Sequence, residues 1–95
     1  MRTIQVNYDL RKPGRDYQPV YEYIKGHPGW CHLLDSCCLI RTEKTAADVR
    51  DELMELVDSS DEVATFDVTQ DLWATNFSDK RTEWLKNQMG FARAA

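Results

Sequence analysis

Asp9 closes an alternating stretch, Ile4-Gln5-Val6-Asn7-Tyr8-Asp9-Leu10-Arg11, that runs directly into the basic turn Arg11-Lys12-Pro13-Gly14-Arg15. A carboxylate beside three cations suggests two kinds of chemistry. An aspartate can hold Mg²⁺, an ion that takes hard oxygen ligands and keeps several of its waters, and a metal so held can activate water or steady a phosphoryl oxygen. Arginine and lysine bind phosphate, the first through a planar fork of donors and the second as a point charge. Arg11, Lys12 and Arg15 are therefore the candidate phosphate-binding residues, and Asp9 is the acid beside them. By itself one carboxylate makes a thin metal site. The opposing reading is local: Asp9 accepts hydrogen bonds from the turn amides between Lys12 and Arg15, as turn-flanking aspartates commonly do.

The remaining reactive side chains are fewer. His32 lies on the same strand side as Trp30 and is a general acid or base only if a dimer buries it near Asp9; otherwise it is an edge residue with a polar tip. His27, in Gly26-His27-Pro28-Gly29, is expected in a solvated loop. Cys31, Cys37 and Cys38 form neither a disulfide framework nor a Cys-x-x-Cys pair. Cys37 and Cys38 are adjacent in an extended run and point to opposite faces, so packing is their expected role. Among the aromatic residues, Tyr23 and Trp30 are the expected exposed pair on which bases could stack.

The elements that must position these groups follow from periodicity. Ile4, Val6 and Tyr8 alternate with Gln5, Asn7 and Asp9, the pattern of a half-buried strand. Asp16 is placed to cap a helix in which Tyr17, Val20, Tyr21 and Ile24 recur at helical spacing, with Pro19 tolerated in the first turn, where its missing N–H has no helical partner. Trp30 to Thr42 is too long for one strand and carries Asp35-Ser36 in its middle, so it reads as a hairpin. A two-residue turn there puts Cys31, Leu33, Cys38 and Ile40 on one side and Trp30, Leu34, Cys37 and Leu39 on the other. Thr45 and Asp48 form a capping box ahead of the stripe Ala46, Val49, Leu53, Leu56 and Val57. Glu62 to Val68 is a further strand with Ala64, Phe66 and Val68 on one face. An extended piece at Leu72 to Thr75 and a third helix from Ser78, carrying Trp84, Leu85 and Met89, follow.

This order predicts an α+β fold, a ferredoxin-like βαββαβ unit over about residues 2–70 with an antiparallel sheet, extended by a strand and helix over about 71–90. Right-handed crossovers place both main helices on one face of the sheet. The hairpin is apolar on both sides, so the other face needs a lid, either the C-terminal segment or a second subunit with Trp73 and Phe77 as contacts.

Composition limits the partners. A chain of 95 residues with 42% hydrophobic and 29% charged content suits one globular domain. It has neither an apolar span for a membrane nor a secretory leader pattern, and unpaired cysteines suit a reducing cytoplasm. The net charge of −4 argues against broad nucleic-acid affinity and makes any such binding depend on a local patch. The acids gather from Asp48 to Glu62, with Arg50 the sole cation among them, and read as a solvated helix face.

Tyr8-Asp9-Leu10, Lys12-Pro13-Gly14, Asp16-Tyr17 and Trp84-Leu85-Lys86 together resemble a group of small bacterial and phage proteins labelled SinR-like. At the level of fold the chain also resembles the small dimeric CRISPR-associated adaptation endonucleases. The second resemblance implies Mg²⁺-dependent phosphodiester cleavage by Asp9 paired across a dimer, with Ser36 as the serine of the hairpin. The chain departs from that pattern at Cys37-Cys38-Leu39, where the relatives carry Val-Phe-Glu, and in ending on a helix rather than an extended tail. Two functions are therefore expected in order: a non-catalytic dimeric module binding nucleic acid or a protein partner, and a metal-dependent endonuclease built on Asp9 and Ser36.

Overall fold

The computed structural model describes residues 1–90. In chain order the elements are β1 (Arg2–Asp9), α1 (Gln18–Lys25), β2 (Gly29–Leu34), β3 (Cys37–Thr42), α2 (Ala46–Met54), β4 (Glu62–Asp67) and α3 (Lys80–Met89). The four strands form one antiparallel sheet in the order β2-β3-β1-β4. Each β-α-β unit thus skips one strand, β1 to β2 across β3 and β3 to β4 across β1. This is the ferredoxin-like α+β arrangement with an added C-terminal helix.

The core lies where the helical stripes of α1 and α2 meet one face of the sheet. Ile4, Val6, Tyr8, Cys38 and Ile40 supply the sheet side, and Val20, Ile24, Val49, Leu53 and Val57 the helix side. α2 starts on the expected box: the Thr45 hydroxyl accepts from the Asp48 amide at 3.1 Å, and the Asp48 carboxylate accepts from the Thr45 amide at 3.1 Å. The side chain of Asp16 accepts from the Gln18 amide at 2.9 Å and so satisfies one of the free donors at the start of α1.

The stripe of α1 is narrower than its periodicity suggests. Tyr21, expected in the core, is 39% exposed and meets Tyr8 edge-on at 6.5 Å. Tyr23, expected outside, is half-buried and donates its hydroxyl to Glu52 at 2.7 Å. A helix of eight residues covers only part of a four-stranded sheet, so Val20 and Ile24 fill the contact and Tyr21 is left at its margin.

The hairpin is also corrected. Trp30 pairs with Ile40, Cys31 with Leu39 and His32 with Cys38, but Leu34 pairs with Cys37, leaving Leu33 without an opposite residue. The turn at Asp35-Ser36 is as short as expected. The extra residue is a β-bulge, which shifts the register by one and reverses the faces expected for the earlier part of β2. Cys31, Cys37 and Leu39 therefore share one face, and His32, Cys38 and Ile40 the other.

The lid comes from the same chain. Leu85 of α3 is buried, as are Cys31, Cys37 and Leu39 on the face turned away from α1 and α2. Gly29 lies on the same face near α3, where a Cβ would sit 3.9 Å from the Trp84 ring, an ordinary packing distance, and 3.0 Å from the Arg41 side chain of β3. α3 begins at Lys80 rather than Ser78, after Asp79 accepts from the Arg81 amide at 3.1 Å, and the expected extended piece at 72–75 forms no strand. The β4 side of this face stays open: Ala64 and Phe66 are exposed, while Val63 and Thr65 turn inward. No helix among the described residues is long and apolar enough to cross a membrane.

Candidate functional site

Asp9 and Glu62 stand opposite each other in the β1-β4 ladder, at the end of the sheet from which the basic turn leaves. Arg11 folds back between them. Its Nε and Nη2 donate to Asp9 Oδ2 at 2.8 and 2.7 Å, and Nη2 also pairs with Glu62. The turn amides go elsewhere, which corrects the local reading of Asp9. The Arg11 amide donates to Asp61 at 2.7 Å, and the Lys12 amide to the Tyr17 hydroxyl at 3.1 Å.

Asp61 is the carboxylate that organises this end of the fold. It is only 6% exposed and accepts from the Arg11 amide, from the Tyr17 hydroxyl at 2.7 Å and from the Asp58 amide at 2.8 Å. Burial pushes its pKa up, but the donors outweigh burial and hold it below the usual aspartate value. The amide and hydroxyl of Ser60 hold Asp58 down at about 2, with Lys12 adding to the effect. Lys12 Nζ and Arg15 Nη1 lie 3.5 and 3.8 Å from Asp58 Oδ1.

All three candidate phosphate-binding cations are thus paired with acids. Arg11 faces Asp9 and Glu62, while Lys12 and Arg15 face Asp58. The acidic run is correspondingly less solvated than its composition suggests: Glu52 holds Tyr23 and Lys44, and Asp58 and Asp61 brace the turn. The sequence signal for this was present in the matched signs of the two segments, but nothing local said that they would meet.

Ser36 sits in the hairpin turn, exposed, and its carbonyl accepts from the Tyr8 amide at 3.1 Å. It therefore shares a sheet end with Asp9, without a hydrogen bond between their side chains. Among the described residues no group of three His, Cys, Asp or Glu side chains can hold a metal ion. Among the described residues of one chain the site does not fit Mg²⁺, because Asp9 and Glu62 are bridged by Arg11 and the neighbouring Asp61 is taken up by the Arg11 and Asp58 amides and the Tyr17 hydroxyl.

A second region gathers groups that the sequence kept apart. A cleft of about 1260 Å³ runs beside edge strand β2, between α1 and α3. Tyr21, Trp30 and Trp84 line it, with Tyr8 and His32, and Lys25, Lys80 and Arg81 add charge against the single carboxylate of Asp79. Trp30 is 41% exposed, and Lys25 Nζ lies 5.6 Å from its ring centroid. Arg81 is occupied: it pairs with Asp79 at 2.8 Å, lies 3.6 Å over the Phe77 ring and donates to the Leu33 carbonyl at 2.7 Å. Lys25 and Lys80 have no carboxylate partner among the described residues. Of the exposed pair expected from sequence, Trp30 belongs to this cleft and Tyr23 does not; Tyr21 and Trp84 take its place.

The histidines and cysteines stay outside any catalytic grouping. His32 is exposed with Nε2 3.4 Å from the Asp35 carbonyl. His27 is half-buried against Tyr23 at 4.7 Å rather than solvated, and its Nδ1 reaches the Ile24 carbonyl. All three cysteines are buried and free, and burial raises each thiol pKa, which suits packing rather than nucleophilic use. No family model matches this chain, and neither curated proteins nor solved structures supply a match.

Proposed function

We propose that the chain is a non-catalytic ferredoxin-like module that binds nucleic acid in the cleft between α1 and α3 and works as a homodimer. One contrast carries this reading. The cations of the basic turn are neutralised by neighbouring acids, whereas Lys25 and Lys80 stand unpaired beside exposed aromatic rings. Binding that depends on a few cations suits a chain whose total charge is −4. The homodimeric part rests on the open half of the sheet, where Phe66 is 54% exposed. A setting in mobile-element or phage defence goes with the resemblance to the SinR-like and CRISPR-associated groups.

The endonuclease reading keeps one supporting observation: Asp9, Glu62 and the turn holding Ser36 share an end of the sheet. It requires Arg11 to release Asp9 and a second chain to supply the missing ligand. Gel shifts and cleavage assays on RNA, single-stranded DNA and duplex DNA, with Mg²⁺ or Mn²⁺ and with Asp9→Ala alongside wild type, separate the two. Binding without cleavage by either protein is expected. Cleavage by wild type that Asp9→Ala abolishes establishes the enzyme instead, and absence of binding to every form overturns the module.

A further inference from the structure

We infer that the cleft takes a single strand, its bases stacking on Trp30 and Tyr21 and its phosphates lying along Lys25 and Lys80. The inference rests on the nucleic-acid reading above and deepens it. Flat rings are useful to a ligand that can offer unstacked base faces, which a duplex keeps inside its own stack. Trp30 and Tyr21 are each about two-fifths exposed, enough ring to cover a base while the rest is held by the protein. Trp84, half-buried, closes the α3 side.

Size and charge favour the same occupant. The cleft exceeds the roughly 300–1,000 Å³ usual for small-molecule cavities and lies open beside the edge of β2, so an extended ligand fits it better than one enclosed nucleotide. Lys25 Nζ sits over the Trp30 ring, where a base would stack. A base arriving on that ring displaces the ammonium, and the flexible stem of Lys25 lets it swing to a neighbouring phosphate. Arg81 does not join it, because its donors are committed to Asp79 and Leu33.

Fluorescence anisotropy of the full chain with labelled oligo-dT, oligo-rU and a hairpin duplex of equal length tests this. Single strands are expected to bind more tightly than the hairpin, with Trp30→Ala weakening them roughly tenfold or more. Lys25→Gln and Lys80→Gln are each expected to flatten the plot of log affinity against log salt by about 0.7 for one lost phosphate contact. Both lysines are exposed, so these variants keep the test open if Trp30→Ala does not fold. Equal affinity for the hairpin overturns the single-strand assignment and leaves nucleic-acid binding in the cleft standing, whereas single-strand binding unchanged in the lysine variants and in Tyr21→Ala overturns the cleft as the binding site and leaves only nucleic-acid binding elsewhere on the chain. Failure of all three probes to bind overturns the nucleic-acid reading itself.

Discussion

Arg81 Nη1 donates to the carbonyl of Leu33 at 2.7 Å, joining the last helix to the one residue of β2 that the strand ladder leaves unpaired. The bulge frees a backbone acceptor and the arginine takes it up, so the irregularity in β2 and the docking of α3 are one feature. α3 in turn forms one wall of the cleft and covers the cysteine-bearing face of the sheet.

Loss of that docking should expose one face of the hairpin and spare the other. Leu85→Ala removes a side chain that is 2% exposed and is expected to cost about 2–5 kcal/mol, the usual range for a buried leucine. Cys31 should then react with a thiol reagent before Cys38, which faces the main core. Arg81→Lys should act in the same direction, since an ammonium cannot reproduce the fork between Asp79 and Leu33. Equal labelling of Cys31 and Cys38 would rule out a separate layer under α3.

The cap of α2 gives a smaller and sharper effect. Thr45→Ala removes the acceptor for the Asp48 amide and is expected to lower stability by about 1 kcal/mol in denaturant melts. Thr45→Ser should restore most of it, because the hydroxyl is what accepts.

Acid should weaken the fold through the carboxylates that brace the basic turn, which hold their charge to lower pH than an ordinary aspartate. The pKa values of Asp58 and Asp61 are lower in the folded chain than the ordinary aspartate value, Asp58 at about 2. A depressed pKa means that the unfolded chain binds the proton more readily, so the contribution is complete above about pH 4 and is lost as pH falls toward 2. Thermal melts should therefore steepen their decline across that window, and Asp58→Asn should lower Tm at neutral pH while flattening the decline. An unchanged slope in Asp58→Asn would show that the turn contributes nothing to acid sensitivity.

Phe66 tests the oligomeric part of the proposal. Phe66→Glu places a charge on the open half of the sheet, where the side chain is more than half exposed and the fold of one chain should tolerate it. Light scattering is expected to give a dimer mass for wild type and a monomer mass for the variant. A wild-type monomer removes both the dimer and any metal site shared between two copies of Asp9.

Most of the architecture was legible in the residues themselves. The alternation of Ile4, Val6 and Tyr8, the Thr45-Asp48 box, the stripe through Val49 and Leu53 and the turn at Asp35-Ser36 are local signals, each imposed by backbone geometry or capping chemistry within a few positions. They determined the element order, and right-handed crossovers turned that order into a four-stranded sheet with two helices on one face. What the sequence could not contain was the meeting of distant segments. The pairing of Arg11 with Glu62 and of Lys12 and Arg15 with Asp58, and the approach of Trp84 to Tyr21 and Trp30 around two unpaired lysines, join positions tens of residues apart. Charge and ring faces take on a function only through their neighbours in space, because a nearby opposite charge or a covering side chain decides whether a group is available to a ligand. Tertiary packing alone therefore moved the candidate site from the basic turn to the cleft.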